Sequence, residues 1–403
     1  MKNKRYHKKN NVRTILIFIQ ALLFFVMCPF VVYGDEENIE NEIIDLQTES
    51  GEIKSIGEGL ERYKHSDIDE ILTGYNPKNM VNDLAKGKLE FDMLGVFNRL
   101  LAYLFKEFYL NINILIKLVV LISLCAILNN LQSSFLNKGT GELAFYVCYM
   151  VLVSILIASF GLVVESGIST IDKMVDFMYA SVPVLITLLV SSGNVVSGGA
   201  LQPLLIMAVQ ISATIMKTML IPLIVLSTVV SIVDNISDKI QIKRFAEFLK
   251  NIAQWSLGAI LTVFVAVVSL QGSLGAVVDG VTSKTTKFAI NTFVPVVGKY
   301  LADAADVVIG CTLLIKNAVG IAIMIGIIGV CLIPIVQMLS IVFIYKITCV
   351  LVEPLADKRL VKCISEVASS MMYILGVVTS VAFMFLITIT ALVLASNIST
   401  MIR

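Results

Sequence analysis

The chain has 403 residues, of which 57% are apolar and only 15% charged, with a formal net charge of +1. A soluble domain carries about 25% charge, so this composition and a mean hydropathy of +0.88 exclude a soluble enzyme. The near-zero net charge also gives no bulk electrostatic attraction to nucleic acid.

Residues 1–34 read as a secretory signal. Lys2, Lys4, Arg5, Lys8, Lys9 and Arg13 precede an apolar run from Thr14 to Tyr33, and Val32-Tyr33-Gly34 resembles a small-residue cleavage site. The run is also long enough to remain as an uncleaved anchor, and both readings place residue 35 outside the cytoplasm.

Residues 35–108 read as an extracytoplasmic region. Its first part, 35–72, holds 13 acids against Lys54, Arg62 and Lys64 and has little to bury. A helical pattern follows, with Leu94, Phe97, Leu101, Leu104 and Phe108 at spacings of three and four. That amphipathic helix leads into the first span. It suits the membrane surface, a partner, or the chain's own spans.

Residues 109–403 read as a polytopic membrane domain, and the fold class expected is all-α. Runs with few or no charges occur at 109–131, 143–164, 201–233, 251–278, 317–352 and 367–402. A crossing needs about 20 apolar residues, so six to eight transmembrane helices are expected. Two runs are too long for one ordinary span, and they contain Pro222 and Pro334, where a helix can kink or divide. The loops 234–250 (Lys239, Lys243, Arg244, Lys250) and 353–366 (Lys358, Arg359, Lys362) are basic and are assigned to the cytoplasm. The segment 165–176, with Glu165, Asp172 and Asp176 against Lys173, is assigned to the outside.

The sequence partly repeats. Val182-Pro183-Val184 recurs 112 residues later as Val294-Pro295-Val296, and Leu220-Ile221-Pro222-Leu223 recurs at the same shift as Leu332-Ile333-Pro334-Ile335. A basic loop and a final apolar run follow each, which suggests an internal duplication over about 177–280 and 289–396 with halves in parallel.

The Val-Pro segments are poor spans. Ser192, Gly193, Ser197 and Gly199 follow the first, and Asp303 and Asp306 follow the second. Irregular backbone survives at membrane depth only inside protein or beside a wet cavity, so these segments read either as re-entrant elements lining a conduit or as extracytoplasmic loops. Lys217 lies in the middle of the run 201–233. A mid-membrane lysine costs about 3 kcal/mol, so it faces a bundle interior or water, unless the run is two short helices and Lys217 snorkels to an interface. Lys117 and Lys346 read as interface lysines. The candidate conduit-lining set is therefore Ser192, Gly193, Ser197, Gly199, Lys217, Asp303 and Asp306.

No catalytic, cofactor or metal constellation emerges. The seven cysteines include no CxxC pair, and His7 and His65 are the two histidines. Walker A, HExxH and GxSxG patterns do not occur.

Several longer strings carry a family resemblance. Gln271-Gly272 through Asp279-Gly280, Lys287-Phe288-Ala289, Phe293-Val294-Pro295-Val296-Val297-Gly298, Leu314-Ile315-Lys316-Asn317-Ala318-Val319-Gly320 and Ala126-Ile127-Leu128-Asn129-Asn130-Leu131-Gln132 resemble the stage III sporulation protein AE family of endospore-forming bacteria. The resemblance implies a multi-pass protein of the mother-cell membrane facing the engulfed forespore. It implies, as partners, the other stage III sporulation A-operon proteins, including a separate ATPase subunit, and stage II sporulation protein Q or an equivalent, alongside membrane lipid and no nucleic acid. The function implied is a permease-like subunit of a channel or feeding apparatus, with an assembly scaffold as the alternative. The family carries no catalytic residues over to this chain.

Overall fold

The computed structural model describes residues 58, 61, 68–71, 80–86, 92–134, 138–192, 202–235, 242–293 and 297–401. Among them every regular element is helical. Two short helices, α1 (Ile68–Ile71) and α2 (Met80–Ala85), precede α3 (Met93–Leu110) and α4 (Ile112–Ser134). Next come α5 (Lys138–Ser191), α6 (Gln202–Ile215), a π turn (Met216–Leu220) and α7 (Ile221–Asp234). Three long helices finish the chain: α8 (Lys243–Phe293), α9 (Val297–Val352) and α10 (Lys358–Met401).

The long helices follow from sustained apolar seams. On α10, Val367, Met371, Ile374, Val378, Val381, Phe385 and Ile389 repeat at three and four and are buried. On α9, Ile315, Val319, Ile323 and Ile327 do the same. These two helices form the centre, with 67% of the most apolar stretch of each buried, against 17% for α8 at the periphery. Helix α5 packs on both. At Gly167 an added Cβ would meet Ile374 Cγ2 at 3.0 Å, so the missing side chain is what lets α5 approach α10 this closely.

Asp92 starts α3, its Oδ1 accepting the Gly95 N–H at 2.9 Å. Asn111 ends it, donating from its backbone N–H to Glu107 O at 3.1 Å and from Nδ2 to the same oxygen at 2.9 Å. The chain then bends by 44° into α4. The docked face of α3 is Val96, Leu100, Tyr103 and Leu104, packed with Ile71, Ile333 and Val336. The sequence pattern pointed to another face, and the structure leaves most of it open: Leu94 is 78% exposed, and Phe97 and Leu101 are exposed too. The helix therefore packs on its own spans and still presents an apolar side outward.

The segment 165–176 is helical, the middle of the 54-residue α5, which also continues through Pro183. Its polar residues fall at helical spacing while Val163, Ile171, Met174 and Phe177 keep the buried seam unbroken. Ser192 closes α5, fully buried, with its N–H on Leu188 O at 3.0 Å and its Oγ donating to Leu189 O at 2.8 Å.

Among the described residues five helices are long and apolar enough to cross a membrane, and six crossings result if the bent pair α3–α4 counts as one span. That reaches the lower end of the expected six to eight. The run 201–233 divides at Pro222, as a proline allows, but through a π turn and not a loop. Pro222 has no N–H and would clash with the carbonyl four residues back, and the wider turn, in which the Ile221 N–H bonds Met216 O, makes the room. Helix α9 runs through Pro334 unbroken.

Candidate functional site

Helices α5 and α7 enclose a groove of about 610 Å³. Its apolar half is built by Ile157, Phe160 and Val164 from α5 with Val225, Val229 and Ile232 from α7. Its charged half comes from α5 alone: Glu165, Ser169, Asp172, Lys173 and Asp176. Glu165, Ser169, Asp172 and Asp176 lie four, three and four residues apart, so helix geometry stacks them on one face.

Lys217 completes the site from the π turn. Its Nζ donates to both oxygens of Asp172, at 2.7 Å to Oδ2, across helices 45 residues apart in sequence. The side chains are 35% and 46% exposed, so the pair is neither buried nor fully open. An ordinary α-turn would aim residue 217 elsewhere, because the extra residue of a π turn rotates the side chains that follow it. Proline 222, the π turn and the Lys217–Asp172 pair thus form one local device.

The basic end of the bundle is cross-braced. Lys250 Nζ donates to Glu366 Oε2 at 3.2 Å and lies over the Tyr373 ring, joining α8 to α10. Lys362 Nζ donates to Asp234 Oδ2 at 3.2 Å, joining α10 to α7. Tyr149 O–H donates to Ile232 O at 3.2 Å, joining α5 to α7 at the same level. A second polar knot lies between α3 and α9: the buried Glu107 accepts from Tyr103 O–H at 3.0 Å, Gln337 Nε2 at 3.3 Å and Asn111 Nδ2 at 3.4 Å. Lys316, buried on α9, donates to Val393 O of α10 at 3.0 Å.

Of the residues singled out in the sequence, the structure pairs Lys217 with Asp172 of the groove and leaves Ser192 at the far end of α5. Gly193, Ser197 and Gly199 lie outside the described residues. Asp303 and Asp306 fall on α9, with side chains outside the described set. Glu165, Asp172, Lys173 and Asp176, assigned from the sequence to the outside and not to a candidate site, are the residues that line the site. Their helical spacing was the signal that could have found them.

A bundle of long apolar helices with an ionised groove defines a polytopic, all-α membrane protein. The sequence comparisons name the family. The model for stage III sporulation protein AE matches residues 75–396, and the chain belongs to that family. It is 32% identical over 341 residues to stage III sporulation protein AE of Bacillus subtilis (strain 168), covering 83% of this chain and 86% of that protein. No solved structure matches.

Proposed function

We propose that this sporulation protein is the conduit-forming membrane subunit of the stage III sporulation A complex, in the mother-cell membrane around the engulfed forespore. The observation that carries the reading is the α5–α7 groove. Charged side chains at the mouth of a path set the local field for a passing ion or solute, and here Glu165, Asp172, Lys173 and Asp176 line one groove, with Lys217 paired to Asp172. Energy for passage would come from the operon's separate ATPase, and contact across the intermembrane space from stage II sporulation protein Q or its equivalent. The repeated order of elements, α6–α7 with α8 and then α9 with α10, supports a two-part body of the kind transport folds use. No catalytic role is assigned to any residue.

A scaffold function is favoured by a different observation. The span of α8 is only 17% buried, and Trp255 on it is 81% exposed, which leaves a long face for neighbouring subunits.

Ser169→Cys in a cysteine-free chain separates the two. A small water-soluble thiol reagent should modify it and stop sporulation while the complex stays assembled. Full modification with normal spore yield would end the conduit reading.

A further inference from the structure

Apolar helices of 44 to 56 residues measure about 66–84 Å at 1.5 Å per residue, whereas a hydrocarbon core is about 30 Å thick. The charged side chains divide this length. One layer is the braced end, with Asp234, Lys250, Lys362 and Glu366. Lys243, Arg244, Lys358 and Arg359 beside it mark that end as cytoplasmic by the positive-inside rule.

A second layer recurs at one height on three helices. On α7 and its π turn, Lys217 precedes Asp234 by 17 residues, about 25 Å of helix. On α5, Glu165 follows Tyr149, which is tied to Ile232, by 16 residues, about 24 Å. On α9, Gln337, bonded to Glu107 of α3, precedes Glu353 by 16 residues, again about 24 Å. Asp172, Lys173, Asp176 and the Lys106–Glu70 pair lie on the same elements at or above this height.

We infer that this second layer is the belt where the protein meets the lipid headgroups of the outer leaflet. The bilayer then covers only the zone between the two charged layers, and α6, the end of α5 and the distal parts of α8, α9 and α10 form a crown beyond it. The separation of the layers fits one hydrocarbon core, with side-chain reach supplying the remainder. The lower zone has the surface a bilayer requires: Val120, Leu124, Val151, Leu226 and Val263 are exposed. Trp255 is 81% exposed five residues from Lys250, the position of an interfacial aromatic. Lys117 and Lys346 lie within the zone but are exposed at its rim, free to extend toward a headgroup layer. The crown exposes apolar residues as well, Leu204, Met207 and Ile211 among them, so the charged layers and the position of Trp255 are what place the bilayer over the lower zone.

The chain's single tryptophan permits a direct test. The full-length protein, in phospholipid nanodiscs, carries Trp255→Phe and one of Leu226→Trp, Leu204→Trp or Met207→Trp, all at exposed positions. Quenching is read with iodide and with lipids bearing a nitroxide near the acyl-chain end. Leu226→Trp should lose its emission to the deep nitroxide and resist iodide. Leu204→Trp and Met207→Trp should show the reverse, and native Trp255 should respond best to a nitroxide near the headgroup. Deep-nitroxide quenching at residue 204 or 207 would overturn the assignment. Maleimide labelling of Met207→Cys in the same nanodiscs gives a second reading, and protein that labels there only after denaturation counts against the crown as well.

Discussion

Gly320 on α9 faces Val393 on α10 so closely that a Cβ placed there would lie 2.3 Å from Val393 Cγ2. Gly320→Ala therefore cannot be absorbed without moving a buried, β-branched side chain whose χ1 is stiff in a helix. Overpacking of this kind costs about 1–3 kcal/mol, and the better helix propensity of alanine returns up to about 1 kcal/mol. The net expectation is a loss of up to about 2 kcal/mol. Val393→Ala alone should cost about 1.6 kcal/mol for its two methyl groups. In the Gly320→Ala background it should cost less, because it also removes the clash, and the coupling should reach about 1 kcal/mol. The Val393 carbonyl survives in all four proteins, so the Lys316 hydrogen bond is constant across the cycle. Thermal unfolding in detergent, followed by a dye that reacts with the buried Cys311, Cys331 and Cys363, reads the cycle. Gly258→Ala, where nothing lies within 4 Å of the new Cβ, is the control and should lose nothing. Equal cost of Val393→Ala in both backgrounds would refute the close-approach argument.

Glu107→Gln sets an amide donor among three donors, and should loosen α3 by about 1–3 kcal/mol, seen as faster thiol labelling of a Val96→Cys reporter. Unchanged labelling would mean the knot does not hold the helix. Lys250→Glu should lower thermal stability, and adding Glu366→Lys should restore part of it by rebuilding the pair. Absence of any rescue would show that packing, and not charge, joins α8 to α10 there. A cysteine at Lys243 in a cysteine-free chain should resist an impermeant reagent in intact cells and react after permeabilisation, whereas labelling in intact cells would invert the topology.

The class of the fold was legible because hydrophobic excess leaves few alternatives. The basic stretches do mark breaks between helices, which end at Asp234 and Val352, but the next helices begin at Lys243 and Lys358 and take in most of each stretch. Element ends were harder to read. Glu165, Asp172 and Asp176 were assigned to the outside because charge in an apolar run suggests an exit from the membrane, which says nothing of whether the helix stops there. Yet their spacing keeps one helical face intact, and their opposite neighbours stay buried. The ion pair was not legible at all. Asp172 and Lys217 are 45 residues apart, and their meeting depends on a π turn whose only sequence trace is Pro222. Which side of α3 docks on the spans was not legible because the helix is apolar on more than one side, and Ile333 and Val336 decide it.

The π turn also has a consequence for how this helix tolerates insertion and deletion. It holds one residue more than an α-turn, so the surfaces above and below it are out of register by about 100°. Deleting one residue within 216–220 would restore continuous α-helical phase only by rotating α6 against α7. Leu204, Met207 and Ile211 would then turn away from their present exposed side, and Lys217 away from Asp172. Single-residue length changes here should therefore act as a change of handed phase and not as a local defect, while substitutions that keep the count leave both faces in place.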